Sequence, residues 1–113
     1  MAIQAYKVAA VGTEELALGL KLLGIRESYT VSHSGEAEAI IRKLLQRDDI
    51  GLIILTSNIV RGMRDRKLLS LIDTSILPMF IEVQEYNGKF KPDTLRRLIL
   101  KAIGIDISKS VGN

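Results

Sequence analysis

The predicted fold depends on one continuous apolar run, Ile50-Gly51-Leu52-Ile53-Ile54-Leu55. Asp48 and Asp49 precede this run, and Thr56-Ser57-Asn58 follows it with side-chain oxygens that suit the start of a helix. A strand that is apolar at every position leaves no face for water, which is typical of a parallel strand covered by helices on both sides. The run therefore predicts the central strand of an α/β sheet.

Upstream of this run, the chain reads as two pairs of a strand and a helix. Residues 6–12, YKVAAVG, predict a strand that ends at a glycine, and residues 25–31 predict a second strand. Thr13 is the predicted N-cap of the first helix, and Gly24 is its predicted end. The predicted buried stripe of that helix comprises Leu16, Leu20 and Leu23. The second helix is amphipathic, with predicted buried positions at Ala37, Ile40, Ile41, Leu44 and Leu45.

Downstream of the central run, residues 59–73 predict a less regular helical stretch, and residues 77–83 predict a fourth strand with a proline near its start. Four strands that alternate with helices imply right-handed crossovers and a parallel sheet. The sequence therefore predicts an α/β fold, a four-stranded parallel sheet sandwiched by helices in the flavodoxin-like or Rossmann-like manner, followed by a C-terminal amphipathic helix.

The predicted organisation is a sheet domain over residues 1–84, a connecting loop over 85–92, an amphipathic helix over 93–107 and a tail over 108–113. The apolar stripe of the last helix comprises Leu95, Leu98, Ile99, Ala102 and Ile103, with Arg96, Arg97 and Lys101 outside it. Such a helix either packs on its own sheet or projects to a partner, and periodicity leaves both arrangements open.

Composition restricts the function classes. The 113 residues include no cysteine and a single histidine, so a disulfide framework and a structural zinc site are excluded. No apolar run is long enough to cross a bilayer, and we expect a cytoplasmic protein. The net charge of +3 admits a nucleic-acid partner, but 4% aromatic residues offer little base stacking. A basic stretch over residues 61–67 suits an acidic protein surface, a nucleic acid or plain solvent.

Ligands of parallel sheets bind at the carboxyl ends of the strands, so a site is expected after Gly12, Val31, Leu55 or Val83. Gly12 is followed by Thr13-Glu14-Glu15, and two of the three glycines of the dinucleotide fingerprint are therefore missing. No Gly-Lys-Ser/Thr triplet forms a P-loop either. We expect no cofactor and no catalytic residue.

One alternative of the same topology is a receiver-like regulatory binding module. Its chemistry needs an aspartate at the end of the third strand, whereas Leu55 is followed here by Thr56, so the phospho-acceptor is lacking. Asp48 and Asp49 precede that strand and are expected to face solvent in a turn at the opposite edge of the sheet. His33 has no nucleophile elbow around it and is expected to be an exposed loop residue.

Five fragments of the chain, in order, resemble one known family. They are Val8-Ala9-Ala10-Val11-Gly12, Asp48-Asp49-Ile50-Gly51-Leu52-Ile53-Ile54-Leu55, Asn58-Ile59 with Arg64 and Ile72-Asp73, Leu77-Pro78 with Ile81-Glu82-Val83, and Asp93-Thr94-Leu95-Arg96-Arg97-Leu98. Over nearly the whole chain, their order and spacing resemble the F subunit of the archaeal and vacuolar-type (A/V-type) rotary ATPases. Two positions depart from the family pattern. Thr13 stands where the family usually has an aspartate after Gly12, and Gln84-Glu85 stands where the family commonly has a proline after its Glu-Ile/Val pair.

The resemblance implies a non-catalytic component of the central stalk, or rotor. Such a component binds the D subunit of the rotor one to one, turns inside the catalytic A/B headpiece, and couples ATP hydrolysis or synthesis to proton or sodium transport. It implies a place peripheral to the cell membrane, with neither membrane insertion nor a nucleic-acid partner. The implied contact residues are Leu95, Leu98, Ile99, Ala102 and Ile103, with Arg96, Arg97 and Lys101 facing acidic groups of the D subunit or the headpiece.

Overall fold

The computed structural model describes residues 6–85 and Arg97. In chain order, the elements are β1 (Lys7–Gly12), α1 (Glu14–Leu22), β2 (Glu27–Thr30), α2 (Ser34–Leu45), β3 (Ile50–Thr56), α3 (Ser57–Arg61), α4 (Arg66–Thr74) and β4 (Met79–Val83). All four strands are parallel neighbours in one sheet, which confirms the predicted fold class. Except for Glu85 and Arg97, the predicted loop, C-terminal helix and tail lie outside the described residues.

The strand order in the sheet is β2-β1-β3-β4, so β1 and β3 form its centre. Every residue of β3 is buried, as the continuous apolar run predicts. After β1 the chain forms β2 as the neighbour of β1 towards one edge of the sheet. After β2 it returns past β1 and forms β3 as the neighbour of β1 towards the other edge. Because both crossovers join parallel strands, they place their helices on opposite faces of the sheet.

Alternate residues of the central strands feed two separate cores. Leu52 and Ile54 of β3 pack with Leu16 and Leu20 of α1 on one face. Ile53 of β3 packs on the other face, where α2, α3 and α4 supply the covering side chains. One face of the described sheet therefore carries a single helix, and the other face carries three.

Gly24 ends α1, as predicted. Its φ of 104° lies in the left-handed region, which glycine adopts without strain. The Ile25 N–H donates to the Leu20 carbonyl at 2.9 Å, and the Gly24 N–H donates to the Lys21 carbonyl at 3.1 Å. This pair of bonds is the Schellman pattern of a helix end, and it turns the chain directly into β2.

One detail predicted for α1 is wrong. Leu23 follows the last helical residue and is 54% exposed, so it does not belong to the buried stripe. Thr13 is the N-cap of α1, as predicted, although its side chain makes no capping hydrogen bond. Its hydroxyl donates instead to the Glu85 carboxylate at 2.8 Å, a partner 72 residues away that local sequence could not indicate.

The helical stretch predicted over residues 59–73 is two helices, α3 and α4, separated by a turn. Asp65 starts α4, because its carboxylate accepts hydrogen bonds from the N–H groups of Lys67 and Leu68 at 3.0 and 3.3 Å. Two strands are also shorter than predicted: β2 covers Glu27–Thr30, and β4 begins at Met79.

The two leucines at positions 20 and 22 offer a matched test of this packing. Leu20 is fully buried, whereas Leu22 on the same helix is 80% exposed. We expect Leu20→Ala to lower the free energy of unfolding by about 2–5 kcal/mol, since it leaves a cavity between α1 and the sheet. Leu22→Ala should change it by less than about 0.5 kcal/mol. Chemical denaturation measures both, and similar losses for the two variants would contradict the orientation of α1.

Candidate functional site

A ligand site in this topology would lie at the carboxyl ends of β1 and β3, because the helices that follow these two strands cover opposite faces of the sheet. Side chains fill that position. Thr56 is fully buried at the end of β3, and a Cβ at Gly12 would come within 2.7 Å of the Thr56 Cγ2 atom. Gly12 therefore allows Thr56 to approach closely, and no space is left there for a phosphate.

The same geometry bears on phosphoryl chemistry. Thr56 stands where a receiver domain would carry its aspartate, and its hydroxyl finds no hydrogen-bond partner among residues 6–85. This oxygen is fully enclosed, so a phosphodonor cannot reach it. Among residues 6–85, no three acidic or histidine side chains come together as a possible metal site.

The hydrogen bond between Thr13 and Glu85 is the most informative contact at this edge. It joins the residue before α1 to Glu85, which lies two residues after the end of β4. Nearby, the Ser57 hydroxyl donates to the Glu82 carboxylate at 3.4 Å. The polar side chains at the carboxyl edge are thus used to fix where the chain leaves the sheet domain.

His33 is exposed and precedes the first residue of α2, as predicted, and it is also the N-cap of that helix. Its Nδ1 accepts a hydrogen bond from the Glu36 N–H at 3.3 Å, and its Nε2 lies 3.5 Å from the Glu36 carboxylate. The Ser32 hydroxyl donates to the same carboxylate rather than to the imidazole. No serine is therefore activated by this histidine within the described part of the chain.

At the amino edge of the sheet, Arg47 joins two strands through their carboxylates. Its guanidinium donates to Asp49 at 2.8 and 2.9 Å and to Glu27, the first residue of β2. The Lys7 ammonium lies 3.5 Å from Asp49. Asp49 is thus an ion-paired residue and not the solvent-facing turn residue that was predicted. Hydrogen bonds from Arg47 lower the pKa of Asp49 to about 2 and also lower the pKa of Glu27.

This network predicts a pH dependence of stability. Both carboxyl groups have a lower pKa in the folded state than their ordinary values of 3.8 and 4.5, so their contribution is present above those values and is lost as the pH falls towards 2. We expect Arg47→Met to lower the free energy of unfolding at pH 7, and the difference from wild type to shrink between about pH 5 and pH 2.

The control for this titration is Arg26→Met. Arg26 is exposed and makes no ion pair with any residue from 6 to 85, whereas Arg47 is half-buried and paired. Urea denaturation of the three proteins over this pH range gives the comparison. A wild-type advantage over Arg47→Met that stays constant from pH 7 to pH 2 would contradict the assignment.

The basic stretch of residues 61–67 runs from the end of α3 through the turn to the first residues of α4. The Glu38 carboxylate accepts hydrogen bonds from the N–H groups of Arg64 and Asp65 at 2.9 and 2.7 Å, and Arg42 pairs with Asp65 at 2.7 Å. Arg61, Arg64, Arg66 and Lys67 are exposed. Two side chains of α2 thus hold the turn in place, with its cations pointing outward.

The residues predicted to contact a partner, Leu95, Arg96, Leu98, Ile99, Lys101, Ala102 and Ile103, lie outside the described residues. Arg97 is the exception, and it has helical backbone and an exposed side chain. The sequence interpretation missed a different surface. Leu18 and Leu22 of α1 are 53% and 80% exposed. Their spacing of four residues, offset from the buried Leu16 and Leu20, is the sequence signal for an outward apolar face.

Comparisons with known proteins identify the family. A family model described as ATP synthase (F/14-kDa) subunit matches residues 8–99. The chain belongs to this ATP synthase F/14-kDa subunit family. The F subunit of the A-type ATP synthase of Methanothermobacter thermautotrophicus is 36% identical over 104 residues, covering 90% of this chain and 96% of the relative. The F subunit of the A-type ATP synthase of Methanocaldococcus jannaschii is 31% identical over 102 residues, covering 89% and 98%.

A solved structure agrees with the sequence relatives. The crystal structure of the V-type ATP synthase F subunit from Archaeoglobus fulgidus superposes with a TM-score of 0.63 at 28% identity, covering 71% of this chain and 99% of that one. The predicted resemblance to the F subunit of the A/V-type ATPases is therefore confirmed. None of the helices in the described ranges is long and apolar enough to cross a membrane.

Proposed function

We propose that this member of the F/14-kDa family is a non-catalytic central-stalk component of an A/V-type ATPase or ATP synthase. In this role it binds the D subunit of the rotor one to one and turns with it inside the A/B headpiece. It thereby couples ATP hydrolysis or synthesis, carried out elsewhere in the complex, to proton or sodium transport. The protein is peripheral to the membrane and enters it nowhere.

The family match over residues 8–99 is the observation that carries this proposal. The carboxyl edge of the sheet supports the non-catalytic half of it, since Thr56 and Gly12 occupy the position where related folds hold a phosphate. The enclosed Thr56 hydroxyl also weighs against the receiver-like alternative. A domain with these properties serves as a rigid platform for a partner.

The partner-binding part of the proposal rests on the segment after Glu85. The stripe of Leu95, Leu98, Ile99, Ala102 and Ile103 fits a groove between the helices of a coiled coil such as the D subunit. Arg96, Arg97 and Lys101 flank the stripe and suit acidic groups on the D subunit or the headpiece. The Thr13–Glu85 bond supplies a fixed point from which this segment starts.

The first test is complex formation. When this chain is mixed with the D subunit of the same complex, we expect gel filtration with light scattering to show one species with the mass of a one-to-one pair. The apolar stripe gives the physical reason, since its burial stabilises the pair. Two separate monomer peaks at micromolar concentrations of both proteins would refute the proposed partner.

The second test concerns the stripe. Leu98→Asp should weaken the complex at least a hundredfold, because it places a carboxylate in an apolar contact. Leu100→Asp is the matched control, since helical spacing puts Leu100 off the stripe, and it should cost less than tenfold. Circular dichroism and thermal melting should show the sheet domain folded in both variants. Unfolding of the whole domain by Leu98→Asp would mean that the stripe belongs to the core.

A further inference from the structure

The outward face of α1 carries an apolar surface that residues 6–85 leave exposed. Leu18 and Leu22 lie four residues apart, one turn above the other, and are 53% and 80% exposed. Leu16 and Leu20 already fill the contact between α1 and the sheet. The two leucines form a small contiguous apolar patch, and contiguous exposed apolar surface is a feature of interaction sites.

We propose that this leucine face of α1, formed by Leu18 and Leu22, is a second docking surface for the same helical partner that takes the C-terminal stripe. The inference rests on the proposed function and extends it. The D subunit would then be held at two places, by the segment after residue 92 and by the ordered sheet domain itself.

The position of the chain exit favours one shared partner. Thr13 precedes α1 and holds Glu85 at 2.8 Å, so the chain leaves the described domain beside the first turn of α1. Leu22 lies nine residues further along, which is about 14 Å at about 1.5 Å per residue. The seven residues from 86 to 92 span up to about 25 Å when extended. A partner bound to the C-terminal stripe is therefore within reach of the leucine face.

The size of the leucine face argues against a second copy of this chain as the occupant. A stable interface buries about 800 Å² on each partner, which is far more than two leucine side chains supply. As an addition to the C-terminal stripe, the same face increases the affinity of a single partner, because the second contact becomes intramolecular once the first has formed.

The charges around the leucine face fit a protein helix. Glu14 and Glu15 lie at one end of α1, and Lys21 and Arg26 lie at the other, all four of them exposed. The acidic end would repel a nucleic-acid backbone or an anionic membrane. A helix of a coiled coil that presents its own apolar stripe, with cations towards Glu14 and anions towards Lys21, matches both the leucines and the charges.

The test compares two exposed apolar residues on the full chain. Leu22→Glu places a charge on the leucine face in a residue type that suits a helix. Ile76→Glu does the same at a site 88% exposed before β4, away from α1. We expect Leu22→Glu to raise the Kd for the D subunit at least tenfold and Ile76→Glu to leave it within twofold. Leu22→Ala, which adds no charge, should raise it about threefold. Calorimetry measures the Kd, and melting temperatures should match wild type.

The outcomes separate this inference from the proposed function. If wild type fails to bind the D subunit, the proposed function is wrong and this inference is overturned with it. If wild type binds and Leu22→Glu binds within twofold of it, only the leucine face is overturned. Equal weakening of D-subunit binding by Leu22→Glu and Ile76→Glu would also overturn it. So would a result in which Leu22→Glu changes only the self-association of the free chain and not its binding to the D subunit.

Discussion

The burial of β3 on both faces is the constraint on which the rest of the structure depends. Its seven residues are all buried, so neither face of the sheet can remain open. Ile54 requires a cover on one side and Ile53 on the other. The alternation of helix and strand supplies both covers, and the right-handed crossovers then fix β1 beside β3 at the centre.

The same burial fills the position at the ends of the central strands where sheets of this topology usually bind a ligand. In many parallel sheets the gap beyond the central strands receives a phosphate, and glycine permits its approach. Here Gly12 instead permits the approach of Thr56. Polar groups near the gap, such as Thr13 and Glu85, bind each other and thereby fix the course of the chain. The carboxyl edge is therefore structural, and the accessible features of the domain lie on its helices.

Sequence patterns predicted the elements whose causes are local. The run from Ile50 to Leu55 specified β3, and Gly24 specified the end of α1. The details that the patterns did not predict are set by side-chain pairing. Thr13 is the predicted N-cap, but its hydroxyl binds Glu85, 72 residues away, instead of the helix. Asp49 resembles a solvated turn residue, but it pairs with Lys7 of the neighbouring strand and with Arg47, two residues before it. The outward face of α1 was missed because several leucines compete for the buried stripe, and only the packing decides between them.

Two bonding patterns at opposite edges of the sheet bear on how such a domain could transmit force. At the amino edge, Arg47 ties β2 to the start of β3 through Glu27 and Asp49. At the carboxyl edge, Thr13 ties the start of α1 to the end of β4. A load applied after Glu85 thus reaches α1 directly as well as β4, and the buried contacts of Leu16 and Leu20 pass it on to the centre of the sheet. For a proposed stalk component, anchoring α1 in this way means that a partner resting on its outward face moves with the sheet as one body.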